Sequence, residues 1–171
     1  MRTLSKIAGG IVLILVLLLL VLRVVGLDPQ DYHPGLWLTG EVATTPPDWS
    51  SIPKNGLTAV QSRQWFFPPL AHSVTTAYSV LSNKLYVPSL YPAGLEFPVV
   101  KHWNRNIAHD PHVRIRMNNK LYDAVMVRVT DPAEYEMIRQ VMITRSPDLG
   151  SPGLHYSLFR VETEDGAKGT R

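Results

Sequence analysis

An unbroken apolar run near the N-terminus constrains this chain more than any other feature. Residues 7–22 contain only apolar side chains and glycine, and a second apolar stretch follows Arg23 and ends at Leu27. An α-helix rises about 1.5 Å per residue, so roughly 20 apolar residues cross a hydrocarbon layer about 30 Å thick. The run reaches that length if Arg23 extends its guanidinium to the interface. We therefore predict a transmembrane anchor over residues 1–27.

The basic residues around this run predict its orientation. Arg2 and Lys6 precede it, whereas every Asp and Glu follows it. The positive-inside bias then keeps the N-terminus in the cytoplasm and exports the rest of the chain, which gives a single-pass membrane protein. The alternative is a cleaved signal peptide that ends near residues 24–26. We favour the uncleaved anchor because the run is long and rich in leucine, and both interpretations place the body outside the cytoplasm.

The charge of the body argues against nucleic acid as a partner. The chain has 17 Lys and Arg, of which three belong to the anchor, and the remaining 14 balance the 14 Asp and Glu. A nucleic-acid-binding domain needs a basic surface that this balance does not supply. The chain contains no cysteine, so disulfides, thiolate metal sites and a cysteine nucleophile are excluded.

The chain after the anchor divides into three parts. Residues 28–35 are polar and resemble a juxtamembrane linker, and residues 36–162 have the length of one domain. The segment 163–171 is polar and is predicted to be a disordered tail. The proline-rich stretch 44–53 within the domain is predicted to be a loop.

Two hairpins dominate the domain. Residues 73–80 and 84–90 are β-branched and aromatic around the turn pair Ser82-Asn83, and residues 112–117 and 120–130 flank Asn118-Asn119. A two-residue turn in the second hairpin places Arg114 opposite Asp123, with apolar pairs beside them. Further strands are predicted at 36–42, 57–63 and 154–162, and an apolar turn at 66–69.

Two helices complete the prediction. One lies around Trp103 and Ile107, and the other runs from an Asp131 cap to about Arg145, with Glu134 in the position of a capping box. The fold class is therefore mainly β (α+β), a small antiparallel split β-barrel with about two helices after the transmembrane helix.

Several kinds of catalytic motif are absent from the sequence. It contains no phosphate-binding glycine loop and no nucleophile elbow, and its histidines lack metal-ligand spacing. We therefore predict no metal site. Arg114 and Arg116 could bind a phosphate from one strand face, but a salt bridge of Arg114 with Asp123 is the more ordinary use. The four tryptophans could line a ligand pocket, although core packing is commoner for aromatic residues in a small barrel.

The order of motifs from residue 73 to 134 resembles a known family. A hairpin ending in residues 85–89 precedes the segment 101–115, in which Trp103, the pair Asn106-Ile107, and Pro111 shortly before Val113 stand in order. A second hairpin and then Asp131 with Glu134 follow. This order resembles the split β-barrel flavoproteins of the pyridoxamine-phosphate-oxidase-like group, and most nearly the deazaflavin-dependent nitroreductase family.

The resemblance implies a site as well as a fold. It implies FMN or a deazaflavin held beside the barrel, often at a homodimer interface, where the cofactor performs the redox step. The cofactor-binding residues it implies in this chain are Arg63, Ser89, Lys101, Trp103 and Asn106. No catalytic residue is assigned. An alternative for Trp103 and Asn106 is structural, with the tryptophan filling the barrel mouth and the asparagine capping a turn.

One departure from the family keeps other functions open. Family members carry a lysine- and glycine-rich turn before the first hairpin, whereas residues 63–70 here contain no glycine and one cation, Arg63. The first hypothesis is a membrane-anchored flavin- or deazaflavin-dependent oxidoreductase. The second is a non-catalytic ligand-binding or assembly module of the cell envelope on the same fold, without a cofactor. The third is an unrelated small β domain of the envelope.

Overall fold

The N-terminal helix is the longest element of the chain. A computed structural model describes residues 2–31, 33–45, 47–66, 70–99 and 101–163. Helix α1 (Arg2–Val25) contains a 20-residue stretch, Lys6–Val25, with a mean hydropathy of 3.0, and the rest of the chain buries none of it. By length and composition this helix can cross a membrane, and an N-terminal signal sequence has the same properties.

The body is a closed antiparallel barrel of six strands. In the order β6-β5-β2-β3-β4-β7, each strand pairs with the next, and β7 pairs again with β6 to complete the circle. A seventh strand, β1, runs parallel to the start of β6. The strands are β1 (Glu41–Val42), β2 (Asn55–Arg63), β3 (Ala71–Leu81), β4 (Lys84–Pro92), β5 (His112–Met117), β6 (Lys120–Arg128) and β7 (Leu154–Glu162). The predicted fold class is confirmed.

Both predicted hairpins form around their predicted turns. Ser82 and Asn83 have positive φ angles of 50° and 58°, and Asn118 and Asn119 have angles of 49° and 61°. These left-handed pairs match the twist of the flanking strands, which explains why short polar residues occupy them. The predicted register of the second hairpin is also confirmed, because Arg114 pairs with Asp123.

The predicted first strand, 36–42, is much shorter in the structure, where only β1 (Glu41–Val42) pairs as a strand. The backbone of Leu36 and Trp37 forms hydrogen bonds with Leu27 just after α1, and the Leu38 amide donates to the Gln61 side chain.

Two predictions fall on residues that the structure does not describe. The predicted tail consists mainly of residues 164–171, and the predicted apolar turn includes residues 67–69.

The main core fills the barrel, and two helices cover it. Helix α2 (His102–His109) closes one end and adds Trp103 and Ile107 to the buried interior. Helix α3 (Pro132–Arg145) packs on the outer face of β4 and β7 through Ile138 and Met142. The interior side chains include Val60, Leu85, Val87, Ile115, Phe159 and Val161. Along β4, Leu85 and Val87 face inward and Tyr86 faces α3, as strand alternation requires.

The predicted cap of α3 provides a test of this half of the fold. The Asp131 carboxylate accepts a hydrogen bond of 2.7 Å from the Glu134 amide at the helix start. Asp131→Ala should lower the free energy of unfolding by about 1 kcal/mol, because that amide loses its partner. Thermal unfolding of the full chain in detergent measures the effect. Asp148→Ala is the matched control, since no hydrogen bond to the Asp148 carboxylate forms among the described residues. Equal melting temperatures for the two variants would contradict the cap.

Candidate functional site

Helix α1 is connected to the barrel by backbone hydrogen bonds that begin directly after its last turn. The Leu27 amide donates to the Trp37 carbonyl over 2.9 Å, and the Leu36 amide donates to the Leu27 carbonyl over 2.7 Å. Between helix and barrel, Gly26 has a φ of 81°, and a Cβ at this position would collide with the Thr39 side chain. Glycine is therefore required where α1 ends.

The segment predicted as a linker folds against the barrel. Gly35 pairs with Ser73 of β3, and Asp28 forms a salt bridge of 2.7 Å with Arg116 of β5. Partial burial opposes ionisation of Asp28, but hydrogen bonds from Thr39 and the Arg116 guanidinium outweigh it and hold the pKa of this carboxyl below its usual value. Asp28 therefore stays ionised at neutral pH, and its salt bridge connects the end of α1 to the barrel. Arg116, considered from the sequence as a phosphate ligand, forms this salt bridge.

An open cleft of about 670 Å³ lies where the last turns of α1 meet the outer face of the barrel. We call it the arginine cleft, because Arg23 of α1, Arg63 of β2 and Arg114 of β5 all line it. The remaining lining residues are Trp37, Leu38, Gln61, Ser62, Ala71, Asp110, His112, Val113, Asp123 and Ala124. The cleft therefore combines residues from α1, from the segment that follows it and from four barrel strands.

Two acidic residues compensate only part of the positive charge in the arginine cleft. Asp123 accepts two hydrogen bonds from Arg114, of 2.6 and 2.8 Å, so this arginine is neutralised as the sequence predicted. Asp110 accepts from His112 over 2.7 Å. Burial opposes ionisation of Asp110, but His112 and the charge of Arg63 lower the pKa of its carboxyl. The three arginines of the cleft therefore face two carboxylates.

Arg23 and Arg63 are the cations of the cleft that are available to a ligand. Neither forms a salt bridge with any carboxylate of the described residues. A guanidinium presents several donors in a planar arrangement that matches a phosphate or carboxylate. The arginine cleft can therefore accept one anionic group between the end of the anchor and the end of β2.

A smaller cleft of about 320 Å³ lies at the start of α2. We call it the histidine cleft, because His33, His72 and His102 line it together with Lys101. The His72 and His102 rings lie 5.2 Å apart, and burial and then His102 lower the pKa of His72. Burial also lowers the pKa of Lys101. Among the described residues, no group of three or more histidine, aspartate and glutamate side chains is arranged to hold a metal ion.

The five residues implied by the resemblance occupy three different places. Arg63 lines the arginine cleft, whereas Lys101 and Trp103 line the histidine cleft. Ser89 is fully buried on the inward side of β4, and its hydroxyl has no hydrogen-bond partner among the described residues. Asn106 is also fully buried. Lys101 and Trp103 therefore share one cleft and Arg63 lines the other, whereas Ser89 and Asn106 line neither.

Trp103 and Asn106 both make internal contacts. The Trp103 side chain is 5 % exposed, and its ring lies 5.8 Å from that of Phe159 in the barrel core. Asn106 donates to the Ser62 hydroxyl over 3.0 Å and accepts from the Trp65 amide over 3.3 Å. These contacts correspond to the structural alternative for the tryptophan, while the asparagine connects α2 to the end of β2 rather than capping a turn.

Arg23 is a lining residue that the sequence assigns to no site, since it is interpreted there only as the residue that interrupts the apolar run. Trp37 also lines the cleft, and it is one of the four tryptophans considered from the sequence as possible pocket residues. The available signal was the position of Arg23, a charged residue close to the end of an apolar helix that leads into the next domain. Comparison with known proteins adds no further assignment, since no family model and no curated protein matches this chain.

Proposed function

We propose that this chain is a membrane-anchored, non-catalytic binding protein that holds an anionic ligand in the arginine cleft. Its N-terminus lies in the cytoplasm and its barrel on the opposite side of the membrane. The observation that carries the proposal is that Arg23 and Arg63 both line one cleft and that neither forms a salt bridge among the described residues, although Asp110 lies near Arg63. Cations that line one cleft attract an anionic group into it.

The burial of three implied cofactor residues supports a binding role over a redox role. Ser89, Trp103 and Asn106 are at most 5 % exposed. A cofactor that touched all three would have to enter the barrel interior, which is close-packed with side chains. The arginine cleft, by contrast, accepts a ligand without moving the core.

A flavin- or deazaflavin-dependent oxidoreductase is the second candidate, and two observations favour it. The volume of the arginine cleft, about 670 Å³, lies in the range usual for small-molecule sites. Arg63, which the family resemblance implies as a cofactor ligand, lies in that cleft. If FMN or a deazaflavin binds there, this chain supplies Arg63 and Arg23 for the phosphate, and the cofactor supplies the redox chemistry.

Titration of the full chain in detergent with inorganic phosphate, FMN and a deazaflavin tests the proposal. We expect saturable binding of a phosphate-bearing probe, and Arg63→Ala should weaken it about tenfold, because one charge-assisted hydrogen bond contributes about 1.5–3 kcal/mol. Lys101→Ala is the matched control, since Lys101 lies in the other cleft. Absence of binding by the wild type, or binding that ignores Arg63→Ala, would contradict an anion site at this position.

The same titration separates the two candidates. The non-catalytic proposal expects purified protein without visible absorbance and no cofactor-dependent reduction of an artificial electron acceptor. Tight binding of FMN or a deazaflavin, accompanied by such reduction, would establish the oxidoreductase in its place. A loss of cofactor binding in both Arg63→Ala and Lys101→Ala would additionally place that cofactor across both clefts.

A further inference from the structure

The anchor determines how deep the arginine cleft lies relative to the bilayer. The apolar stretch ends at Val25, and its 20 residues match the hydrocarbon thickness of about 30 Å. Arg23 comes two residues before that end, so its Cα lies roughly 3 Å inside the boundary at a rise of 1.5 Å per residue. Its guanidinium reaches outward from there. Because α1 joins the barrel directly through Leu27, a bilayer spanned by α1 would have its headgroups at the level of the cleft.

An aromatic hairpin tip lies beside the same cleft. Arg63 and Ala71 pair across the end of the β2–β3 hairpin, and both line the arginine cleft. Trp65 and Phe66 follow Arg63 and are 47 % and 41 % exposed, with ring centroids 5.7 Å apart. Tryptophan is enriched at membrane–water interfaces, where its ring is partly apolar and its N–H finds polar partners. We call these two residues the aromatic tip.

From these positions we propose that the arginine cleft binds the phosphate of an anionic phospholipid headgroup in the bilayer that α1 spans, and that the aromatic tip is the second contact with that bilayer. The inference rests on the proposed anion site and names its ligand class. Arg23 approaches the phosphate from the anchor, and Arg63 approaches it from β2. The three arginines of the cleft outnumber its two carboxylates, which favours a headgroup with net negative charge over a zwitterionic one.

Lipid is favoured over a soluble anion by effective concentration. A protein anchored in the bilayer meets headgroup phosphates continuously, so a site of modest affinity at that depth is occupied without a search through solution. A lipid ligand also explains why one of the two available arginines belongs to the anchor itself. The apolar chains of such a lipid would remain in the bilayer beside α1, whose surface is not covered by the barrel.

Lipid binding by the full chain in detergent tests the cleft. The probes are fluorescent phosphatidylglycerol and fluorescent phosphatidylcholine, and the intact mass verifies that α1 is present. We expect preferential binding of phosphatidylglycerol, weakened about tenfold by Arg63→Gln and partly restored by Arg63→Lys. Arg139→Gln on α3, outside the cleft, is the control and should change nothing. Equal binding of both lipids, or no effect of Arg63→Gln, would overturn the inference.

Fluorescence quenching in vesicles tests the aromatic tip. Brominated phosphatidylcholine should quench a part of the tryptophan emission in reconstituted wild type that Trp65→Phe lacks. Identical fractional quenching of the two proteins would place Trp65 away from the lipid and overturn the second contact.

The lipid-binding and phosphate-binding experiments together distinguish the lipid inference from the anion site. Failure of lipid binding together with Arg63-dependent binding of inorganic phosphate would overturn only the lipid inference. Failure with both probes would overturn the anion site as well.

Discussion

Trp103→Ala should lower the free energy of unfolding by about 3–5 kcal/mol, because the substitution empties a large volume in the barrel core. Trp103 is 5 % exposed, and it packs with Phe159 and Ile107 where α2 closes the barrel. The surrounding strands are hydrogen-bonded around a closed circle and can collapse only slightly into the space. Urea unfolding of the full chain in detergent measures the loss.

Trp65→Ala is the matched control for this substitution. It removes the same side chain from a position that is 47 % exposed, so the free energy of unfolding should change by no more than about 1 kcal/mol. The comparison also tests the family interpretation of Trp103. If Trp103→Ala leaves the free energy of unfolding unchanged and abolishes binding of FMN or a deazaflavin, then Trp103 contacts the cofactor and its packing contributes little to stability.

The hairpins of this fold could be predicted because their signals are local. Asn118 and Asn119 tolerate the left-handed backbone, and once the turn has two residues the register of the hairpin follows. The α3 helix was equally accessible, since Asp131 and Glu134 lie three residues apart and contact each other through the cap. In each case the contacting residues are neighbours in sequence.

The arginine cleft could not be predicted in the same way. Arg23 and Arg63 are 40 positions apart in the chain, and only the folded structure places both of them in the lining of one cleft. The backbone hydrogen bonds of Leu27 with Leu36 and Trp37 were equally inaccessible, because no periodic pattern in the sequence predicts them. Long-range placement of this kind depends on how the barrel closes, which composition and periodicity leave open.

The family resemblance implied five site residues from the order of motifs along the chain, but that order does not show which of them lie together in the fold. Ser89 illustrates the reason, because strand alternation from Leu85 and Val87 turns its hydroxyl toward the barrel interior. An outward serine would have required a register shifted by one residue. The assignment of a cofactor to these residues therefore stays a prediction, which the titrations with FMN and a deazaflavin can decide.

Asn106→Ala should cost about 2–4 kcal/mol, the second largest effect that we expect on the free energy of unfolding. Asn106 is fully buried on α2, and its amide donates to the Ser62 hydroxyl and accepts from the Trp65 amide. Replacement removes both hydrogen bonds, leaves their partners unsatisfied and opens a small cavity. Because one of those partners belongs to the aromatic tip, the variant should also loosen the end of the β2–β3 hairpin.

Asn104 provides the matched control within the same helix. Its side chain is as fully buried as that of Asn106, but neither amide atom has a hydrogen-bond partner among the described residues. Asn104→Ala creates a similar cavity while removing polar atoms whose burial is uncompensated, so it should cost at least about 2 kcal/mol less than Asn106→Ala. Urea unfolding gives the difference, and limited proteolysis at the hairpin end reports the loosening. Equal costs for the two variants would mean that the contacts of Asn106 with Ser62 and Trp65 add nothing to stability, and the aromatic tip would then need another support.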